Sequence, residues 1–348
     1  MTSDDAGETA PDPAPDPALI HGLLEAFRRS KTMMAAVSLG VFEALEPAGA
    51  TSGELASSLG LHAGALERLL GACVALGLLT HDEGRYRNTP AASAYLRPSS
   101  PRQLTGYIKY SNEVLWKMWE RLEDAVREGT HRWNQVYGWE GPIFSSFFRT
   151  ELAMREFLLG MHGQGLLSSP KVVAAFDLGR FQRLVDLGGA TGHLAVAACL
   201  RYPKLQAVVF DLPQALTVAR EYLASVGLPG RVELAPGDFF LDSLPEGDLF
   251  ALGRILHDWS ELKVVALLER VFDRLPSGGA LLVAEKLLTP DRSGPPWASM
   301  QDLGMLLYTE GRERTLDQYR EILGQVGFTE VEGRITDSPL DAVLARKP

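Results

Sequence analysis

The sequence predicts an α/β protein in which a helical N-terminal domain precedes a C-terminal domain built on a doubly wound parallel sheet. The chain has 348 residues, which is more than most single domains contain. Up to about residue 100 apolar residues recur at helical spacing, whereas after residue 180 strand-like runs alternate with helical segments. The predicted segments are a disordered acidic, Pro-rich tail (1–17), a helical domain (18–100), a helical linker (101–175) and the sheet domain (176–348).

Composition and charge limit the classes of function. Hydrophobic residues make up 46% and charged residues 22% of the chain, as in ordinary globular proteins. The formal net charge of -10 argues against a nucleic-acid partner, because phosphate binding depends on clustered Lys and Arg. No run of about 18 consecutive apolar residues occurs, so the sequence predicts no membrane span.

The tail and the cysteines indicate a cytoplasmic location. The tail has neither the basic nor the apolar region of a signal peptide. Cys73 and Cys199 lie in apolar helical patterns, which is typical of buried, reduced thiols. The seven histidines show no metal-ligand spacing with each other or with the cysteines, so we expect no metal site.

The N-terminal domain is predicted to be a bundle of helices. Leu23 and Phe27 belong to a first helix with apolar residues at helical spacing. Thr51 starts another helix, since Glu54 three residues later completes a capping-box pattern. A further helix and a short strand, GRYRNT, follow.

This order of elements is typical of a winged helix, which makes a DNA-binding regulator one hypothesis. Between Thr51 and Leu79, however, Arg68 is the only Lys or Arg, which disfavours DNA recognition. A largely apolar helix at this place favours burial against protein, so we expect these helices to form a dimer interface.

The linker at 101–175 is predicted to be helical and is rich in aromatic residues. Most of them are expected to pack in a core or an interface. A minority are expected to line a pocket for a flat ligand, and the candidates are Trp116, Phe144, Phe157 and Met161.

The sheet domain contains five predicted strands with helices between them. Their sequences are RLVDLGG, QAVVFDLP, RVELAPGDFF, DLFALGRILHDW and ALLVAEKLL. In such sheets ligands lie beyond the carboxyl ends of the strands. His257 and Glu285 follow two of these ends, so we expect them at a site of chemistry.

The turn after the first strand is rich in glycine and raises the possibility of a dinucleotide. An acid, Asp211, follows at the spacing expected for a ribose contact. The G-x-G-x-x-G pattern fails, however, because Ala190 and His193 occupy its third and sixth positions when Gly188 is first.

The remaining acids favour a nucleoside cofactor without phosphates. Asp211 is expected to take a ribose diol, Asp238 an adenine amino group, and Phe239 to cover the ring. Asp186, Asp211 and Asp238 are thus three acids at or just after strand ends, and no phosphate-binding Lys accompanies them. S-adenosylmethionine is the cofactor that this pattern predicts.

Five motifs in order, VDLGGATGH, FDLP, GDFF, RILHDW and GRERT, make the chain resemble a known family. It resembles the class I S-adenosylmethionine-dependent O-methyltransferases of the caffeate and hydroxyindole type, and YRNT, DAVREG and AAFDL are similar to segments of the hydroxyindole branch. The resemblance covers about residues 20–346. It implies a homodimer formed by the N-terminal helices and methyl transfer to a hydroxyl of a small aromatic or heterocyclic molecule.

The resemblance also implies roles for individual residues. His257 matches the general base of the family, and Glu285 and Glu313 match the two acids that flank and orient it. Asp258 matches a position near the substrate. The implied cofactor-binding set is Asp186, Gly188, Gly189, Asp211, Leu212, Asp238, Phe239 and Arg254.

The chemistry fits a histidine base. Methyl transfer is an in-line displacement, so the acceptor hydroxyl must be aligned and must lose its proton. A neutral imidazole can take that proton, and an acid on its other nitrogen would fix the tautomer. Structural alternatives are that Glu285 caps a turn, that Glu313 pairs with a neighbouring arginine, and that Asp258 begins a helix.

Two positions depart from the family pattern. Ala190 replaces a glycine, which costs some room beside the cofactor but should not prevent binding. Where the hydroxyindole enzymes place an Asn and a Gln against the substrate, this chain has Gly304 and Tyr308, which puts the indole amide contacts in doubt. Both residues belong to the predicted substrate-binding set.

Other functions stay open at this point. The same cofactor also serves methylation of nitrogen or of a thioether sulfur, and a thioether has no proton for a base to remove. A non-enzymatic winged-helix sensor of the cofactor is disfavoured by the scarcity of basic residues. A non-methylating relative would be expected to lack the histidine and its acids, which are present here.

Overall fold

The computed structural model describes residues 15–348 apart from positions 143, 149 and 229 and the side chain of Phe144. Residues 1–14 of the predicted tail and the predicted pocket side chain of Phe144 therefore lie outside the described residues. The chain forms two compact units, one ending at Ala92 and the other spanning Ser93–Pro348. The predicted boundary at residue 100 lies within the second unit.

The first unit is helical with one small hairpin. Its elements are α1 (Ala18–Ser38), α2 (Val41–Ala44), α3 (Ser52–Leu59), α4 (Ala63–Ala75), β1 (Leu79–Asp82), β2 (Arg85–Asn88) and the start of α5 (Pro90–Tyr95). The predicted capping box is present, because Thr51 accepts from the Glu54 amide and Glu54 accepts from the Thr51 amide. The predicted single strand is a hairpin, since Glu83 and Gly84 both adopt positive φ and turn the chain. The winged-helix assignment stays a prediction.

The second unit begins with short helices and one long one. They are α6 (Thr105–Tyr110), α7 (Trp116–Trp119), α8 (Leu122–Glu128), α9 (Trp133–Tyr137) and α10 (Glu151–Ala174). A π-helical turn, Ser111–Leu115, joins α6 to α7. Thr150 caps α10 by accepting from the Ala153 amide at 3.1 Å.

The sheet domain alternates strands and helices as predicted. In order these are β3 (Arg183–Leu187), α11 (His193–Arg201), β4 (Gln206–Asp211), α12 (Ala215–Val226), β5 (Val232–Pro236), β6 (Leu249–Gly253), α13 (Glu261–Arg274), β7 (Ala280–Ala284), α14 (Pro296–Tyr308), α15 (Leu316–Val326), β8 (Thr329–Arg334) and β9 (Ala342–Arg346). The strand order is β5-β4-β3-β6-β7-β9-β8.

Two strands were missing from the prediction. β8 and β9 follow the five predicted strands, and β9 runs antiparallel to both of its neighbours, so the sheet is not wholly parallel. No helix separates β8 from β9, and a short connection of this kind can join only antiparallel strands.

Alternate residues of the central strands face two separate cores. Leu184, Val209 and Ala251 pack with α10, α11 and α12 on one face. Val185 and Phe250 pack with α13 and α15 on the other. Since β3 lies between β4 and β6, the chain changes direction across the sheet at β3, and ligand sites form beyond the carboxyl ends at such a point.

Both cysteines are buried and free, as predicted. None of the helices in the described part of the chain combines the length and the apolar composition needed to cross a bilayer.

Candidate active site

A cavity of about 380 Å³ lies at the carboxyl ends of β3, β4 and β6. One end is formed by the turns that follow these strands, and we name it the cofactor end. The other, formed by α6, α10, α14 and the segment around Phe147, we name the acceptor end. The predicted cofactor residues that line the cavity are Asp186, Gly188, Gly189, Asp211, Leu212, Asp238, Phe239 and Arg254.

The glycine-rich turn brings main chain close to the cavity. Gly188 has a φ of +66°, and a Cβ there would lie 3.3 Å from the Phe239 ring and would overlap Ile255. Ala190 also has a positive φ, +51°. The cost of alanine in this turn is therefore a strained backbone, about 1–2 kcal/mol, in addition to the room taken by its methyl group.

Asp211 holds the glycine-rich turn with its carboxylate. Its Oδ2 accepts from the Ala190 amide at 2.8 Å and its Oδ1 from the Leu212 amide at 2.7 Å. Burial raises the pKa of Asp211 to about 6 against these two hydrogen bonds. Burial likewise raises the pKa of Asp186 to about 7, and the negative charge of Asp211 adds to the effect.

Asp238 and Phe239 form the opposite wall of the cofactor end. Asp238 Oδ1 accepts from the Phe240 amide at 2.8 Å, which fixes the turn after β5. Phe239 packs edge-on against Phe240, with ring centroids 4.8 Å apart. This arrangement leaves an aromatic face and a carboxylate beside each other in the wall.

Arg254 is a buried cation with unused donors. Its Nε and Nη2 have no hydrogen-bond partner among the described residues, and its φ is +57°. Burial lowers the pKa of Arg254, although neighbouring acids oppose the shift. Three carboxylates, an aromatic wall and one cation with free donors fit a nucleoside that carries an amino-acid carboxylate and no phosphate.

His257 is held by Glu313 through its ring. Nδ1 of His257 lies 2.6 Å from Glu313 Oε1, and both side chains are buried. Nδ1 therefore carries the proton that Glu313 accepts, and Nε2 is left as the basic nitrogen. Nε2 lies 3.7 Å from Asp258 Oδ1, and His257 and Asp258 both line the cavity.

Glu285 acts on the backbone of this segment. Its Oε1 accepts from the amides of Ile255 and His257, at 3.2 and 3.1 Å, and its Oε2 accepts from the hydroxyl of Tyr319. Glu285 therefore contacts the main chain of His257, whereas the hydrogen bond of the imidazole ring goes to Glu313, and the role of Glu285 in orienting the base stays a prediction. Glu285 and Glu313 stand behind His257 and do not line the cavity.

The structural alternative for Glu313 does not describe the observed contacts, whereas Glu285 does accept from amides at the start of the 3₁₀ turn. Arg312 and Arg314 both pair with Glu261, so neither arginine takes Glu313. Asp258 lies in a 3₁₀ turn, Leu256–Asp258, ahead of α13.

The acids shift the protonation of the histidine. Burial alone lowers the pKa of His257, but the charges of Glu313, then Glu285 and Asp258, outweigh it and raise this pKa to about 10. Burial raises the pKa of Asp258 to about 7 and also raises that of Glu313. A proton is therefore held tightly within this cluster.

The same three residues could in principle bridge a metal ion. Donor atoms of His257, Glu285 and Glu313 lie within 4.8 Å of one another. Hydrogen bonds already account for their arrangement, since both oxygens of Glu285 and one of Glu313 accept from donors of the protein. The absence of a metal stays a prediction.

The acceptor end is aromatic. Phe157 packs against Phe147 and Tyr110, with centroids 4.7 and 5.7 Å away. Of the predicted substrate residues, Phe157, Met161, Asp258 and Tyr308 line the cavity. Trp116 and Gly304 do not: Trp116 is half-buried elsewhere, and Gly304 lies beneath the ring of Tyr308.

Several lining residues were not predicted as site residues. They include Tyr107, Tyr110, Phe147, Phe148, His193, Trp259, Gln301, Met305 and Thr309. A sequence signal existed for α14, since Gln301, Met305 and Tyr308 recur at helical spacing and so share one face. His193 carried no sequence signal for a site, yet this half-buried side chain lines the cavity and its Nδ1 lies 2.8 Å from the Ser169 hydroxyl.

The chain matches two family descriptions. The O-methyltransferase domain matches residues 119–329, and the O-methyltransferase dimerisation domain matches residues 21–98. Acetylserotonin O-methyltransferase of Bos taurus is 41% identical over 330 residues, which cover 92% of this chain and 95% of that protein. The 3-hydroxy-5-methyl-1-naphthoate 3-O-methyltransferase of Streptomyces sahachiroi is 36% identical, with coverage of 94% and 93%.

A solved structure agrees with these matches. Human N-acetylserotonin methyltransferase in complex with SAM aligns with a TM-score of 0.91 at 35% identity, covering 96% of this chain and 99% of that one. Fold and cavity together define a methyltransferase with a nucleoside cofactor. The chain belongs to the S-adenosylmethionine-dependent O-methyltransferase family. The predicted fold class, cofactor and type of enzyme are confirmed.

Proposed function

We propose that this enzyme methylates the hydroxyl of a small, flat aromatic or heterocyclic molecule of the hydroxyindole or hydroxynaphthalene kind, with His257 as general base. The observation that carries the proposal is the His257 imidazole in the cavity wall, held by Glu313 at 2.6 Å, between an aromatic acceptor end and an acid-lined cofactor end. The relatives named for acetylserotonin and for a naphthoate support this class of acceptor.

The roles of the histidine and its acids follow from their positions. S-adenosylmethionine supplies an electrophilic methyl group on a positively charged sulfur. His257 Nε2 accepts the proton of the acceptor hydroxyl, while Nδ1 keeps its proton in the hydrogen bond to the Glu313 carboxylate, which stabilises the imidazolium. Since the pKa of His257 is raised to about 10, near that of a phenol, proton transfer from the hydroxyl to the neutral imidazole is nearly balanced, and the neutral form that the reaction requires becomes more populated as the pH rises.

Residues at the cofactor end bind and orient S-adenosylmethionine. Asp211 is suited to the ribose hydroxyls, Asp238 to the adenine amino group, and Phe239 to the face of the adenine ring. Arg254 has two donors without partners, which suits a carboxylate. Phe157 and its aromatic neighbours exclude water from the acceptor, which strengthens the charge interactions around His257.

We also infer that the enzyme is a homodimer joined through its N-terminal helices. The matched dimerisation domain supports this. So does an apolar stripe on α1, which consists of Leu19, Ile20, Leu23, Leu24 and Phe27, each between 56% and 73% exposed in the single chain. A contiguous apolar surface of this kind on a helix is typical of an interface. A cytoplasmic location stays a prediction.

Transfer to nitrogen or to a thioether sulfur is the competing proposal. It differs in the need for a base, because a sulfur acceptor has no proton for His257 to remove. The test is methyl transfer from labelled S-adenosylmethionine to hydroxyindoles, naphthols, amines and thioethers, with wild type, His257→Ala and, as control, His81→Ala on the exposed hairpin.

We expect transfer to a hydroxyl that falls by about 10²–10⁴ in His257→Ala, with cofactor affinity retained and the control unchanged. Transfer to sulfur that survives the substitution would refute the proposal. Tight cofactor binding without transfer to any acceptor would favour a sensor.

A further inference from the structure

One face of α14 forms part of the acceptor end. Gln301, Met305 and Tyr308 line the cavity at spacings of four and three residues. Gly304 lies on the same face, one turn before Tyr308. Its neighbours in the structure explain why no side chain is present there.

The hydroxyl end of Tyr308 fills the space above Gly304. A Cβ at position 304 would lie 2.7 Å from Tyr308 Cζ and would overlap Oη. The backbone of Gly304 is ordinary helix, so the glycine is not needed for a special φ. The absence of a side chain at Gly304 therefore leaves room for the Tyr308 ring. We name these two packed residues the 304–308 pair.

The hydroxyl of Tyr308 is oriented by a neighbour. It accepts a hydrogen bond from the side chain of Trp119, and an indole N–H can only donate. Because this contact uses the oxygen as acceptor, it leaves the hydroxyl proton for another partner, and Tyr308 is among the residues that line the cavity. Burial raises the pKa of Tyr308 far above its usual value, so the group remains a neutral donor at any working pH.

The surroundings make this donor selective. Apolar and aromatic side chains such as Leu115, Phe157 and Met305 make up much of the acceptor end, beside the polar groups of Tyr107, Gln301 and Thr309. In such surroundings a polar group is costly to bury unless it is paired, so a ligand that offers a partner is preferred over one of equal shape that does not.

We propose that Tyr308, seated over Gly304, is a specificity-determining residue that selects methyl acceptors bearing a second hydrogen-bond acceptor, a carbonyl oxygen or a pyridine-type nitrogen, on the same flat ring system as the reacting hydroxyl. This inference rests on the proposed function, because it requires the methyl acceptor to occupy this end of the cavity.

The test compares isosteric ligands that differ in one ring atom. The probes are 2-naphthol, 6-hydroxyquinoline and 7-hydroxyquinoline, bound to enzyme saturated with S-adenosylhomocysteine and measured by calorimetry. The quantity compared is the affinity for a quinoline divided by the affinity for 2-naphthol. For at least one quinoline we expect this ratio to be about three- to tenfold larger in wild type than in Tyr308→Phe. The affinity for 2-naphthol should be the same in both proteins.

Two further variants isolate the pair. Gly304→Ala should displace the hydroxyl and lose the same preference, and adding Tyr308→Phe to it should cause no additional loss. Tyr202→Phe is the matched control, since that hydroxyl donates to the carbonyls of Val173 and Phe176, away from the cavity. It should retain the wild-type ratio.

The outcomes separate this inference from the proposed function. If neither quinoline changes its ratio to 2-naphthol in Tyr308→Phe, the inference is overturned even when methyl transfer to hydroxyls is observed. If the ratio changes as expected but no probe is methylated on oxygen, the specificity role of Tyr308 is supported and the proposed reaction fails.

Discussion

Nδ1 of His257 and Oε1 of Glu313 lie 2.6 Å apart, although 56 residues separate them in the chain. The contact joins the 3₁₀ turn after β6 to the segment that follows α14. It fixes which nitrogen of the imidazole faces the cavity, and it places a negative charge where an imidazolium would form. The pair thereby sets both the geometry and the basicity of the proposed base.

Replacing Glu313 by glutamine should change the pH dependence of the reaction. Glu313 is the largest contributor that raises the pKa of His257, so its removal lowers that pKa. Since the base must be unprotonated, the rise of kcat/KM with pH should move to lower pH in Glu313→Gln. The plateau should fall by about 10- to 100-fold, because the imidazolium loses its partner. An unchanged profile in steady-state kinetics between about pH 6 and 11, a range that extends past the raised pKa of His257, would contradict this role.

Gly165 should tolerate no side chain, because the ring of His193 lies against it. A Cβ at position 165 would overlap that ring. We expect Gly165→Ala to destabilise the fold by about 1–3 kcal/mol and to weaken cofactor binding, since His193 lines the cavity.

The matched control is Gly324→Ala in α15, where an added methyl meets nothing within 4 Å. It should stabilise the protein by about 0.5–1 kcal/mol, because glycine is unfavourable within a helix. Urea unfolding of both variants measures the difference, and equal effects of the two substitutions would refute the packing argument.

His162 should make the fold sensitive to acid. Burial lowers the pKa of His162 to about 4, whereas an unfolded histidine titrates near 6.5. The unfolded chain therefore binds a proton between these values that the folded chain does not, so stability is full above about pH 6.5 and is lost as the pH falls towards 4.

His162→Asn should remove this effect while keeping a hydrogen bond to Thr191, which His162 contacts at 2.8 Å. Between pH 7 and 4.5 wild type should lose on the order of 2 kcal/mol more than the variant. Tryptophan fluorescence during urea unfolding reports on the larger unit, which contains all six tryptophans. Parallel losses in the two proteins would count against His162.

Acidic substitutions on α1 should separate the proposed dimer. Leu23 and Phe27 are 66% and 56% exposed in the single chain, and a carboxylate at each would oppose burial in an interface. Leu23→Glu with Phe27→Glu should sediment as a monomer, whereas Leu262→Glu, at an exposed position of α13, should sediment as wild type. A wild-type monomer would refute the dimer outright.

Much of the architecture is determined locally and could be predicted from sequence. Strands β3 to β7 were predicted because the spacing of apolar residues and the length of the run, which identify a strand, are properties of a short segment. The acids Asp186, Asp211 and Asp238 were found because they lie at or just after the ends of such segments. β8 and β9 were missed, and the antiparallel direction of β9 depends on the strands that it joins in the sheet, which no local pattern reveals. The same local logic placed His257 at a strand end, which is where sheets of this kind bind ligands.

The sequence by itself therefore determined the fold class, the cofactor end and the identity of the proposed base. Tertiary structure decided which acid binds the imidazole and which binds its backbone, since Glu313 and Glu285 reach His257 from distant segments. It also decided that Tyr308 lies over Gly304 and that Trp116 stays outside the cavity. Periodicity fixes the face on which a side chain lies, whereas its partners depend on how whole elements pack, and that packing is set by contacts far apart in the chain.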